Sequence, residues 1–121
     1  MRRDPRDFLP LKDLVFRILL ELAEGEQHGW GLVQGLAPLR YGSRLLPGHL
    51  YRTLDRMLAD GFIEERERPT VPQRRDTRRG TAPSRYFRLT PFGREVAKAE
   101  TLRLEALVRR SRSGALLRQR P

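Results

Sequence analysis

Apolar side chains recur at helical spacing near the start of the chain. Leu11, Leu14, Val15, Ile18, Leu19 and Leu22 form one continuous stripe, and Gly25 ends it. The pattern predicts a core helix from about Leu9. Residues 1–8 are charged and lack periodicity, so they read as an N-terminal arm. A second, shorter helix is expected over His28–Leu36, weakened by its glycines and limited by Pro38. The most sharply punctuated segment is Pro47–Gly61. A proline at a first helical turn loses no hydrogen bond, because its missing N–H would be unpaired there. Gly61 stands where a left-handed C-terminal cap is wanted. Between these marks Leu50, Leu54, Met57 and Leu58 make one apolar face, and His49, Arg52, Thr53 and Arg56 make a polar one.

Phe62 to Arg68 reads as a strand, and Arg85–Thr90 as its return partner. There Phe87 and Leu89 share one face, and Tyr86 and Arg88 the other. The intervening residues, about 69–84, hold Arg74, Arg75, Arg78 and Arg79 with almost no apolar side chains, which predicts a long basic hairpin tip. Thr90 followed by Pro91 marks the start of a last helix of about 18 residues, roughly 27 Å long. Its apolar positions are Phe92, Val96, Ala99, Leu102 and Ala106, broadened by Leu104, Leu107 and Val108. So wide a stripe is covered either by a second copy of the chain or by the first helix. From Ser111 onward a basic tail is expected.

Three helices, a two-stranded wing and a final helix are the succession of a winged helix-turn-helix domain. The expected fold class is therefore α+β and mainly helical, with a DNA-binding domain over residues 9–90 and a dimerisation helix over 91–110. Length bounds this: 121 residues make one small domain.

Charge sharpens the picture. The net charge is +10, yet the first 63 residues are nearly balanced, so the cationic excess lies in the wing and the C-terminal segment. That distribution points to a polyanionic partner, double-stranded DNA above all. Genome base composition can explain why arginine so outnumbers lysine, but not the imbalance itself. Without cysteine there is no disulfide, thiolate metal site or thiol sensor. No apolar run approaches a membrane span, and Met1–Arg3 is followed by Asp4 and Asp7 rather than an apolar stretch. A cytoplasmic protein with no membrane partner is expected. Two histidines, His28 and His49, are too few for a zinc site, and no cofactor is expected. No nucleophile–base constellation or phosphate-cradling glycine loop points to an enzyme.

Several stretches together carry a family likeness: Leu11-Lys12-Asp13-Leu14-Val15, His28-Gly29-Trp30, Leu45 to Met57, Asp60-Gly61-Phe62-Ile63, and Tyr86 to Gly93. In them the chain resembles PadR-type transcriptional regulators of the short kind with a single C-terminal helix. The likeness covers roughly residues 9–108. It departs at Leu46, where the family usually has serine or threonine, and at His49, where it usually has threonine.

The resemblance implies a homodimeric repressor on a pseudo-palindromic operator. Gly48, His49, Tyr51, Arg52 and Arg56 would be on the reading helix, Ser43 and Arg44 would contact phosphate, and the four wing arginines would supply backbone affinity. The dimer interface would be Phe92, Val96, Ala99, Leu102, Leu104, Ala106, Leu107 and Val108. Similar proteins often sense small molecules, so an effector is a further expected partner, with Trp30 and Phe8 as wall residues. The competing reading is a winged-helix protein-interaction or RNA-binding module with non-specific affinity for polyanions.

Overall fold

A computed structural model describes residues 3–36, 47–67 and 85–118 of the chain. Within them run α1 (Asp13–Ala23), β1 (Gln27–His28), α2 (Gly29–Leu36), α3 (Pro47–Ala59), β2 (Ile63–Glu67), β3 (Arg85–Leu89) and α4 (Pro91–Ser113). The strands form one antiparallel sheet in the order β1-β3-β2. Ile63 faces Leu89 and Glu67 faces Arg85 across the wing, while Gln27 and His28 pair with Phe87 and Tyr86.

One core joins every layer. Ile18, Leu19 and Leu22 of α1 meet Leu32 and Leu36 of α2, Leu50, Leu54 and Met57 of α3, Phe62 and Ile63 at the start of β2, Phe87 of β3, and Val96 of α4. The members from α1 and α3 lie on the apolar faces that helical spacing selects, and Phe87 on the face that alternation selects. Phe87 is buried and Leu89 half-buried, whereas Arg88 is exposed.

The turn between α3 and β2 sets α3 against α4. Gly61 takes φ +81°, and the Phe62 and Gly61 N–H groups donate to Met57 at 3.0 Å and Leu58 at 3.1 Å. This is the paired bonding of a Schellman cap, which requires the left-handed residue that glycine supplies most cheaply. Thr90 then ties the turn to α4. Its Oγ1 donates to the Gly61 and Phe62 carbonyls at 2.6 and 3.0 Å and accepts the Gly93 N–H at 2.9 Å. Gly93 lies so close to the turn that a Cβ there would fall on the Phe62 carbonyl oxygen.

Four features differ from expectation. The second helix starts at Gly29, because Gln27 and His28 pair along the free edge of β3 and make the sheet three-stranded. Residues 3–8 are docked: Pro5–Phe8 forms a short 3-10 helix, and Phe8 packs edge-on against Phe62 and Phe92, with ring centres 5.1 and 5.7 Å apart. The Arg3 guanidinium covers the Phe92 ring at 4.1 Å and donates to the Asp60 carbonyl at 2.8 Å. At the other end, α4 continues to Ser113, so the tail expected from Ser111 begins later. Finally, α4 lies against α1, and Val96 and Phe92 are spent inside the chain's own core. Val96 is fully buried and so is closed to a dimer partner, and half-buried Phe92 is held in the aromatic cluster.

Candidate nucleic-acid interface

The Pro47 start and the Gly61 stop leave a thirteen-residue α3 whose two faces have opposite fates. Leu50, Leu54 and Met57 hold it to the core, while Gly48, His49, Arg52, Asp55, Arg56 and Ala59 are exposed. Arg52 forms no ion pair among the described residues. Arg56 has only a 3.4 Å contact with Asp60, one turn along the helix. Thr53 is half-buried, and its hydroxyl donates to the His49 carbonyl of its own helix at 2.9 Å. The open functional groups of the face are thus two guanidiniums, one imidazole and one carboxylate. The guanidiniums match phosphate oxygens and guanine edges in their spacing of donors.

Tyr51 lies on the flank that faces the wing. Its ring packs against the core, and the Arg85 guanidinium stands 5.5 Å from the ring centre. Arg85 opens β3 and bridges two elements. It donates to Glu65 on β2 at 2.8 and 3.2 Å and to Asp55 on α3 at 3.2 Å. The bonds to Glu65, and then that to Asp55, raise its pKa further above the ordinary guanidinium value, so it stays cationic. A second cross-strand pair, Arg88 with Glu64 at 2.6 Å, lies at facing positions of the same hairpin. The wing base is therefore ionically fixed to itself and to α3.

On the opposite flank a groove of about 600 Å³ separates α3 from the start of α1. His49, Arg52 and Arg56 line one wall, and Leu11, Lys12 and Val15 the other. Sequence context gives Lys12 no prominence, because it follows the first residue of an apolar stripe. The fold exposes it at the N-cap of α1, next to the cationic face of α3. Phe8 also borders this groove, through the edge of the aromatic cluster. Ser43, Arg44, Arg74, Arg75, Arg78 and Arg79 lie outside the described residues, as does the side chain of Trp30.

A second surface runs along α1 and α4. Leu102 is 65 % exposed and Val108 54 %, with Leu107 and Ala106 also open and Ala99 and Leu104 half-covered. Leu20 of α1 joins them across two shallow grooves of about 380 and 660 Å³. Leu20, Leu102 and Val108, gathered about these grooves, make this a candidate contact surface. Among the described residues no helix is long and apolar enough to cross a membrane.

Comparison with known proteins agrees with this geometry. The family model described as "Transcriptional regulator PadR-like family" matches residues 18–99, from α1 into α4. The chain is 37 % identical over 92 residues to the transcriptional regulator Rv3488 of Mycobacterium tuberculosis, covering 76 % of each protein. Among solved structures it is similar to a PadR family regulator from Clostridium difficile, with a TM-score of 0.66 at 15 % identity, covering 84 % of this chain and 97 % of that one. Another from Eggerthella lenta gives 0.64 at 22 % identity, covering 90 % and 82 %. These distant likenesses carry the fold, and the family match carries the class of function. With its winged helix and exposed basic α3, the chain belongs to the PadR-like family of transcriptional regulators, which act on DNA and are not enzymes.

Proposed function

We propose that this regulator is a homodimeric repressor that binds a pseudo-palindromic operator and responds to a small-molecule effector in the cytoplasm. The observation that carries the reading is α3, with one face locked into the core and Arg52 uncommitted on the other. Two such helices, brought about one helical turn apart by pairing of α4, would enter successive major grooves. His49 and Arg52 stand nearest the bases and Arg56 nearer phosphate, while the wing arginines add sequence-independent affinity. Leu102 and Val108, which border the two grooves with Leu20, form the centre of the pairing surface. An effector regulates only by favouring one spacing of the two reading helices over another.

Fluorescence anisotropy on the chain's own upstream DNA against a scrambled duplex, at two salt concentrations and with stoichiometry, tests this. A preference of roughly 10³-fold or more for the upstream site, at two chains per duplex, supports the reading. Equal and steeply salt-dependent binding to both duplexes supports a non-specific polyanion-binding module instead.

A further inference from the structure

The recognition face carries one acid, and its placement is informative. Gly48, Arg52, Asp55 and Ala59 form a single exposed row on α3, at steps of four, three and four residues. The row begins and ends in very small side chains, so a partner can come close to the helix there. Between them project one guanidinium and one carboxylate. Asp55 pairs not with Arg52 but with Arg85, through Oδ1 alone, and its side chain stays 64 % exposed. Arg85 is in turn held by two bonds to Glu65 and lies between the Tyr51 and Phe87 rings. The carboxylate is thus aimed by a cation that the wing base immobilises.

A carboxylate facing a polyanion weakens binding to every sequence unless a donor waits for it. In the major groove the only base donors are exocyclic amines, N4 of cytosine and N6 of adenine, whereas guanine and thymine edges present acceptors. An ionised aspartate accepts and cannot donate, so guanine and thymine edges leave it unpaired or repelled. We propose, resting on the operator-binding reading above, that Asp55 is a specificity-determining residue that accepts from cytosine N4, with Arg85 as its positioning residue. Arg52 draws the helix to DNA. Asp55 decides which DNA is tolerated.

Selection from a duplex library randomised over about twenty base pairs tests this, using the full chain, Asp55→Ala, Asp55→Asn and Arg85→Gln. Thermal melts run alongside report folding. The wild type should recover a motif with cytosine at one position of each half-site. Asp55→Ala should lose that preference by about tenfold or more, while binding scrambled duplex as tightly as the wild type or tighter. Asp55→Asn, nearly isosteric, should move the preference toward adenine, whose N6 and N7 match an amide. Arg85→Gln should keep the motif but blur that one position. If both Asp55 variants select the wild-type base, or lose affinity equally for all duplexes, the assignment is overturned. If the wild type recovers no motif, the operator-binding reading itself falls, and this inference with it.

Discussion

Glu100 on α4 accepts the backbone N–H of Leu11 at 3.0 Å, a bond across 89 residues that ties the lead-in of α1 to the middle of the last helix. The carboxylate is 2 % exposed and also receives Arg103 at 2.6 and 3.0 Å. The Arg103 bonds, and then the Leu11 N–H, outweigh burial and hold Glu100 below the ordinary carboxylate range. A group whose pKa is depressed by folding adds stability above its unfolded value, near 4.3, and loses it as pH falls through the folded value. The thermal midpoint should therefore drop as pH falls below about 4.3, and Glu100→Gln should flatten that part of the profile. At neutral pH Glu100→Ala should cost about 2 kcal/mol, because it strands the Leu11 N–H. Thermal melts from pH 7 to pH 3 on the three proteins check both points. An unchanged profile in Glu100→Gln would refute the assignment.

Gly93 is the second constraint. A methyl group there meets the Phe62 carbonyl oxygen, which already accepts from the Thr90 amide and hydroxyl. Gly93→Ala should therefore destabilise by about 3 kcal/mol, since the obstacle is backbone and cannot turn aside. Gly48→Ala provides the contrast. Its Cβ would meet only the end of the Arg52 side chain at 3.4 Å, and alanine suits a helix better by about 0.5 kcal/mol. Urea unfolding midpoints should move in opposite directions for the two variants.

These two contacts also mark where sequence reasoning stops. The limits of α3 were legible because Pro47 and Gly61 punctuate it and its apolar spacing is regular. The start of α4 was legible from Thr90 and Pro91 in the same way. Strand β1 was not, because two residues hold no period and its existence depends on the free edge of β3. The burial of Glu100 was not either. It continues the row of Phe92 and Val96, yet an acid reads as solvent-facing until the Leu11 N–H is known to lie opposite it. On the outer face of α3, His49, Arg52 and Arg56 stand exposed as their spacing required. Asp55 carries no such signal in the sequence, because its partner Arg85 comes from a distant strand.

Arg52 should behave as a base reader with little structural role. Its substitution by alanine removes no core contact, so the unfolding midpoint should stay within about 0.5 kcal/mol of wild type. Specific binding should weaken by about 1–3 kcal/mol and the preference at one base position should relax. Competition assays against single-base operator variants separate these outcomes. A uniform loss across all duplexes would make Arg52 a phosphate contact instead.

The wing arginines should give the opposite signature. Replacing Arg74 and Arg75 with glutamine removes two cations from the segment between β2 and β3. If both neutralise phosphates, the slope of log affinity against log salt should fall in magnitude by about two, with the base preference kept. Anisotropy titrations from low to moderate salt measure the slope. An unchanged slope would place the wing tip away from DNA.

The proposed pairing rests on the exposed apolar side chains of α4. Leu102 and Val108 are more than half exposed within one chain and stand outside its buried core, so a charge at either position leaves that core in place. In a dimer the same charge would be buried against the partner without a counterion, at a cost of several kcal/mol. Leu102→Glu with Val108→Glu should therefore leave the helical content intact but halve the mass seen by light scattering. Because each half-site alone supplies only part of the contact area, operator affinity should fall far more than non-specific affinity. Exposed leucines on a helix end at a partner or at water, and this variant distinguishes the two. If the doubly charged protein keeps the wild-type mass, the pairing surface lies elsewhere. If the wild type is itself monomeric at assay concentrations, pairing is confined to DNA, and the double variant should then abolish cooperative binding to the two half-sites.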